Sequence, residues 1–300
     1  MPAVRSSLPT TANGWRSVLI HLRLHFQLLL APVFLWGWLI AGGGFSWPIA
    51  VAFVALHMFL YAGATAFNSY YDRDVGPVGG LEHPPPIVAA LLPVSLAMKL
   101  VGLVLAALVN LPFMVVYAAF ALLSIAYSQP RIRLKADPWA SLLTVGLGQG
   151  VLAFLAAWAA ARGELGSAVN FDGAVGAAAA TLLILALYPL TQLYQVEEDA
   201  ARGDRTIAVV GGPRLCFAFS LVCQALGGAA MLALVLGRYG PLDALLVLVG
   251  LCAQAAVVAW WSVRFDPRAV LLNFRRVSML NRASALLLGL YLIARLFIVR

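Results

Sequence analysis

The sequence predicts an all-α, polytopic membrane protein built as a bundle of nine transmembrane helices. Of its 300 residues, 63% are hydrophobic and only 11% are charged, whereas soluble domains carry roughly 25% charged residues. A membrane-spanning helix needs about 20 mainly apolar residues. The chain offers nine such stretches, at 17–42, 46–71, 86–109, 111–128, 139–161, 173–194, 213–237, 241–263 and 277–299.

Little of the chain lies outside these stretches, so a single transmembrane domain is predicted at 17–300. The short polar segment at 1–16 is predicted to be a cytoplasmic N-terminal tail. The first apolar run continues to about Ala41 without a small-residue cleavage site, which is typical of a retained span and not of a signal peptide.

The basic residues behind the net charge of +8 are distributed unevenly between the two sides of the membrane, which indicates the topology. With the N-terminus in the cytoplasm, the opposite connections hold only Arg162 and Arg238, and Arg300 ends the chain. This asymmetry follows the positive-inside rule and argues against nucleic-acid binding. The cytoplasmic connections then carry most of the basic residues: Arg73, Arg131, Arg133, Lys135, Arg202, Arg205, Arg214, Arg264, Arg268, Arg275 and Arg276.

The acidic residues gather after the second and sixth apolar stretches. Seven of the twelve fall at 72–82 and 197–204, where uniform scatter would place about one. The other cytoplasmic connections contain only Asp137 and Asp266. The clustering therefore predicts a site formed where two helices end. The seven residues are Asp72, Asp74, Glu82, Glu197, Glu198, Asp199 and Asp204.

Both acidic windows share one spacing of an amide, an aspartate and a glycine. Asn68 and Asp72 stand four residues apart, as do Gln195 and Asp199, and a glycine follows each pair after four more residues. On a helix this spacing puts both side chains on one face. Mg²⁺ prefers oxygen ligands, typically one or two carboxylates with waters and substrate phosphates. The pattern therefore suits Mg²⁺ ions that hold a diphosphate.

A basic loop lies between the two windows. Arg131, Arg133 and Lys135 alternate with apolar residues, so a locally extended chain would direct the three charges the same way. Arginine binds phosphate bidentately and lysine acts as a point charge. A loop that only sets membrane topology and a loop that faces the diphosphate both fit this pattern.

Three segments together resemble the UbiA-type intramembrane prenyltransferase superfamily: FNSYYDRD at 67–74, YSQPRIRLK at 127–135 and QVEEDAARGDRTIAV at 195–209. The order of acidic loop, basic loop and acidic loop is similar, and the helix number matches over nearly the whole chain. The resemblance implies a nine-helix bundle with a central cavity open toward lipid. It also implies two Asp-rich motifs that bind Mg²⁺ and a prenyl diphosphate.

The sequence departs from the family motifs at three acidic positions. The first family motif reads N-D-x-x-D-x-x-x-D; here Ser69 replaces its second residue and Gly76 its last. The second reads D-x-x-x-D, and Gln195 takes its first place. Three nearby acids could substitute for them: Asp74, Glu197 and Glu198.

The resemblance and the residue pattern together predict Mg²⁺-dependent transfer of an isoprenoid chain from a prenyl diphosphate to an aromatic or lipid-like acceptor. Asp72 and Asp199 are the expected catalytic residues. A terpene cyclase of the same type and a non-catalytic isoprenoid or lipid carrier are the alternatives. The expected location is the bacterial inner membrane, with the motif loops cytoplasmic. The expected metal ligands are Asn68, Asp72, Asp74, Gln195, Glu198 and Asp199, and the diphosphate ligands are Arg131, Arg133 and Lys135.

Overall fold

A computed structural model describes residues 12–297 of the chain, and α-helices dominate this part. Nine of its helices are long and apolar enough to cross a membrane, which confirms the predicted fold class. Residues 1–11 of the expected tail and residues 298–300 lie outside the described range. The helices are α1 Gly14–Ala41, α2 Trp47–Asp72, α3 Leu91–Val109, α4 Leu111–Ser128, α5 Pro138–Arg162, α6 Phe171–Gln192, the short α7 Val196–Arg202, α8 Ile207–Tyr239, α9 Pro241–Val263 and α10 Val270–Phe297.

Four helix starts differ from the predicted ones for local reasons. Helix already begins at Ala12, inside the expected tail. Helix α3 starts five residues late, because three successive prolines at 84–86 lack the backbone N–H that a helix needs. Helices α8 and α10 start early, at Ile207 and Val270, because their short apolar first turns are separated from the long apolar runs, by the Gly-Gly-Pro sequence at 211–213 in α8 and by the Arg-Arg pair at 275–276 in α10.

Several spanning helices are irregular, including α8, which is broken at Gly212. In α1 the chain breaks at Arg23, which adopts a left-handed φ of 48°. Helices α2 and α5 each contain a π turn, at Ala55–Tyr61 and Gly146–Leu152. A π turn inserts an extra residue and shifts the face that the following residues present. In α2 it directly precedes the turns that carry Asn68 and Asp72.

The half of the bundle away from the acidic loops is packed through small residues. Helices α1 and α5 contact closely there, and a Cβ placed on Gly37 would lie 2.4 Å from the Phe154 carbonyl oxygen. Ala153, Ala156 and Ala157 of α5 are fully buried. Small side chains let membrane helices approach each other, and this contact replaces the hydrophobic driving force that lipid does not supply.

Two arginines close the far end of α1. Arg162 Nε donates to the Ala41 carbonyl at 2.5 Å, and Arg238 Nη1 donates to the Ile40 carbonyl at 2.8 Å. Arg238 also pairs with Asp172 at 2.5 Å. Cations at a helix C-terminus satisfy its free carbonyls and complement its dipole. The few basic residues on this side therefore have a structural use.

The loop at 73–90 is fastened across the near end of the bundle. Ser17 Oγ donates to the Pro86 carbonyl at 2.7 Å, and His21 Nε2 lies 2.9 Å from the Pro85 carbonyl. Arg275 of α10 binds Glu82 through two hydrogen bonds of 2.8 and 3.0 Å. Glu82 therefore fastens the loop and lies apart from the other acids of its window.

We expect Gly102→Ala to lower the melting temperature of the purified protein, because a Cβ there would lie 1.9 Å from the Tyr117 hydroxyl oxygen. Overpacking of this kind costs about 1–3 kcal/mol. Gly250→Ala is the matched control, since no atom lies within 4 Å of its added Cβ. An equal melting temperature for the two variants would contradict the described contact between α3 and α4.

Candidate functional site

The first acidic segment is positioned by the end of α2. The helix stops at Asp72 because Arg73 turns to a left-handed φ of 54°. Asn68 lies one turn earlier on the same face, and its Oδ1 accepts from Ser128 Oγ at 2.8 Å and from Lys135 Nζ at 2.7 Å. Lys135 Nζ also donates to Asp72 Oδ2. The Lys135 ammonium therefore binds both Asn68 and Asp72, the two residues that the sequence spacing predicted to share one helix face.

The second acidic segment forms the short helix α7, directly after α6. The Asp199 N–H donates to the Gln195 carbonyl at 2.8 Å, so these two residues are again one turn apart. Glu198 Oε1 accepts from the Val75 N–H of the first loop at 2.8 Å. A Cβ on Gly76 would lie 3.0 Å from Glu198 Oε2. Glu198 therefore occupies the space beside the glycine that replaces the family's third aspartate.

The basic loop is a turn and not the locally extended chain that would direct its three charges the same way. The Arg133 N–H donates to the Gln129 carbonyl at 2.8 Å, and Arg133 has a left-handed φ of 45°. A 3₁₀ turn follows at Leu134–Ala136. The turn directs Arg133 and Lys135 inward, whereas Arg131 stays exposed. The physical reason is that local hydrogen bonds to Gln129 override the alternation of charged and apolar residues.

Ion pairs bring all three segments together. Arg202 Nη1 lies 2.5 Å from Asp74 Oδ1, and its Nη2 lies 2.6 Å from Asp199 Oδ1, so one guanidinium joins the two acidic loops. Arg133 donates to both oxygens of Asp204, at 2.7 and 2.8 Å, and reaches Asp72 at 3.2 Å. The carboxylates that were 127 residues apart in sequence therefore share one network.

Three residues at the site had no role assigned from the sequence, although Asp204 was among the clustered acids. Asp204 and Arg202 lie in the RGDRT run that carries the family likeness, and that run was the available signal. Arg23 of α1 had no signal, because its partners are far away in sequence. Its Nη2 donates to Ser69 Oγ at 2.5 Å and its Nη1 to the Gly79 carbonyl at 2.8 Å.

Burial shapes the electrostatics of the loop carboxylates. It raises the pKa of Asp199 to about 6, although Arg202 opposes the shift. Burial and the charge of Asp72 also raise the pKa of Asp74. Burial alone would raise the pKa of Asp204, but the hydrogen bonds and charge of Arg133 hold it below its usual value. The cluster therefore holds carboxylates of unequal acidity within one site.

A polar cavity of about 110 Å³ opens beside the network, a volume that accommodates several water molecules. The hydroxyl oxygens of Tyr127 and Tyr188 lie 2.7 Å apart at its wall. It is lined by residues of both the second acidic segment and the basic loop: Tyr127, Lys135, Tyr188, Thr191, Gln192, Gln195, Asp199, Arg202, Asp204 and Thr206.

The donor set fits Mg²⁺. Within residues 12–297, no three acidic, histidine or cysteine side chains form a ready-made metal cluster, because basic side chains stand between the carboxylates. Mg²⁺ does not require such a cage, since it binds through one or two protein carboxylates together with substrate phosphates and water. Asp72, Asp74 and Asp199 supply carboxylate oxygens here, and Asn68 supplies an amide oxygen.

Comparisons with known proteins agree with this architecture. A model of the UbiA prenyltransferase family matches residues 29–280. A digeranylgeranylglyceryl phosphate synthase of Natronomonas pharaonis is 29% identical over 266 residues, which cover 82% of this chain and 87% of the relative. A protoheme IX farnesyltransferase of Aeropyrum pernix is also 29% identical. That match covers 52% of this chain and only about half (53%) of the relative.

Solved structures share the fold at low sequence identity. A UbiA homolog from Archaeoglobus fulgidus bound to GPP and Mg²⁺ superposes with a TM-score of 0.63 at 21% identity, covering 93% of this chain and 99% of the homolog. The apo structure of a UbiA homolog from Aeropyrum pernix K1 gives a TM-score of 0.68 at 20% identity, covering 90% and 97%.

The family model spans well over half of the chain, and the names of the curated relatives are those of prenyl-transferring enzymes. The predictions of a polytopic helical bundle and of an intramembrane prenyltransferase are confirmed at the level of the family. This chain belongs to the UbiA prenyltransferase family.

Proposed function

We propose that this protein transfers an isoprenoid chain from a prenyl diphosphate to an aromatic or lipid-like acceptor, with Mg²⁺ as cofactor. The observation that carries the proposal is the ion-pair network that joins both acidic segments and the basic loop, beside a polar cavity at the end of a membrane bundle. The location proposed is the bacterial inner membrane, with this end of the bundle in the cytoplasm, where the basic connections lie.

The metal ligands proposed are oxygen donors of the two acidic segments. When bound, Mg²⁺ neutralises the diphosphate and stabilises the charge that develops as it leaves. Asp72 and Asp199 are the central carboxylates, since each already binds a cation from another part of the site. The full proposed set is Asn68, Asp72, Asp74, Gln195, Glu198 and Asp199.

Arg133 and Lys135 are proposed to bind the diphosphate. Both are held inward by Asp72, so they are oriented before substrate arrives. Preorganised cations stabilise a leaving group without a reorganisation cost at the moment of reaction. Their N–H groups would donate to diphosphate oxygens, and the prenyl carbon would separate from the oxygen that these residues stabilise.

The prenyl chain is proposed to lie among the apolar helices, shielded from water. Tyr127 of α4 and Tyr188 of α6 line the polar cavity, with the Lys135 ammonium 6.0 Å from the Tyr127 ring centroid. Aromatic faces attract cations, so these rings would tolerate a developing prenyl cation. Aromatic and lipid-like acceptors would reach such a site from the membrane.

A non-catalytic carrier is the second candidate, because Arg202 already binds Asp74 and Asp199. This candidate predicts binding of geranyl diphosphate without release of inorganic diphosphate, whatever acceptor is supplied. A cyclase would instead release diphosphate and form a cyclic hydrocarbon with no acceptor present. Product analysis with and without acceptors separates the three activities.

We expect Asp72→Asn to reduce Mg²⁺-dependent binding of labelled geranyl diphosphate at least tenfold, and diphosphate release by more, because the amide keeps the shape but loses the charge that holds metal and Lys135. Asp137→Asn is the matched control. Asp137 lies on the same side and caps α5 by accepting from Ala140 N–H at 2.8 Å, a role that asparagine fills equally well. Unchanged binding in Asp72→Asn would refute the proposed site.

Arg133→Gln should weaken geranyl diphosphate binding by about tenfold or more, in line with the loss of a charged hydrogen-bonding group. The turn leaves Arg131 exposed, so Arg131→Gln should change the affinity by less than about twofold. Equilibrium binding at fixed Mg²⁺ measures both variants. Equal losses of affinity in the two variants would mean that Arg131 also binds the diphosphate. The inward direction of Arg133 would then not explain which arginine binds.

A further inference from the structure

A second cavity lies on the outer surface of the bundle, where α8 is broken. Gly212 has φ 67° and ψ −178°, a conformation that essentially only glycine tolerates, and Pro213 begins the helix again beyond it. The break leaves a groove of about 470 Å³ between α8 and α9. Its lining is Pro213, Arg214, Phe217, Ala218, Leu221, Ser262 and Phe265.

The groove has an apolar floor that runs along the axis of α8. Phe217 and Phe265 pack edge to face with ring centroids 5.7 Å apart. The residues contributed by α8 recur at helical spacing from Pro213 to Leu221, so the floor extends about 12 Å along the helix. That length and volume suit part of a hydrocarbon chain.

One end of the groove is positively charged. Arg214 is exposed there, and among residues 12–297 no carboxylate forms an ion pair with it. The lining contains no acidic residue, and Ser262 adds a hydroxyl. Arg264, which follows α9, and Arg276 of α10 each lie 5.2 Å from the ring centroid of Trp260. An uncompensated positive end above an apolar floor complements an amphiphile with an anionic head.

We infer that this groove binds a membrane phospholipid with an anionic headgroup. The phosphate would accept hydrogen bonds from Arg214, and one acyl chain would lie over Phe217 and Leu221. Basic pockets between transmembrane helices on the cytoplasmic side recognise anionic lipid heads through this combination. The groove shares no lining residue with the polar cavity, so this inference does not depend on the proposed catalytic function.

Native mass spectrometry of the purified full chain, after exchange with phosphatidylglycerol or phosphatidylcholine vesicles, tests the site. The wild type should retain phosphatidylglycerol in preference to phosphatidylcholine. Arg214→Gln should weaken that retention about fivefold, as expected for the loss of one interfacial cation. Arg16→Gln is the matched control, because Arg16 is exposed on the same side but lies in α1, outside the groove.

A second variant tests whether the lipid occupies the groove, independently of the charge of Arg214. Ala218→Trp would fill the groove without changing any charge, and should displace phosphatidylglycerol while circular dichroism and elution volume stay those of the wild type. Equal retention of both lipids, equal losses in Arg214→Gln and Arg16→Gln, or undiminished retention in a folded Ala218→Trp variant would each overturn the inference.

Discussion

The site depends on one guanidinium that holds two distant loops together. Arg202 bridges Asp74 and Asp199 at 2.5 and 2.6 Å, and both carboxylates are almost withdrawn from solvent. Burying such charges is costly unless they are paired, and removing one partner typically costs about 3–5 kcal/mol. The ends of α2 and α6 must therefore stay close, and their contact defines the cavity beside them.

Two of the three positions that lack the acids of the family motifs have a charged side chain from another segment beside them. Ser69 stands where an aspartate is expected, and the buried Arg23 binds its hydroxyl. Gly76 stands at another such position, and the Glu198 carboxylate from the opposite segment lies beside it. Glu198 therefore keeps a carboxylate beside Gly76, whereas Ser69 has a cation beside it.

The two halves of the bundle differ in how they are stabilised. Away from the acidic loops, close contact between Gly37 and the backbone of α5 forms a dense apolar scaffold, and arginines satisfy the carbonyls at the end of α1. At the near end, polar side chains meet in a small cavity and satisfy one another. A rigid apolar half is what allows charged groups to be held in fixed positions in a low-dielectric setting.

The sequence by itself determined the number of spans and the two amide–aspartate pairs, because long apolar runs and helical spacing are local properties. It also identified the family through three short segments. Only the tertiary structure decided which charges meet. Arg23 binds Ser69 from 46 residues earlier in the chain, and Arg131 is exposed where hydrogen bonds to Gln129 turn the chain. Local patterns cannot report such pairings, since long-range contacts select them after the helices pack.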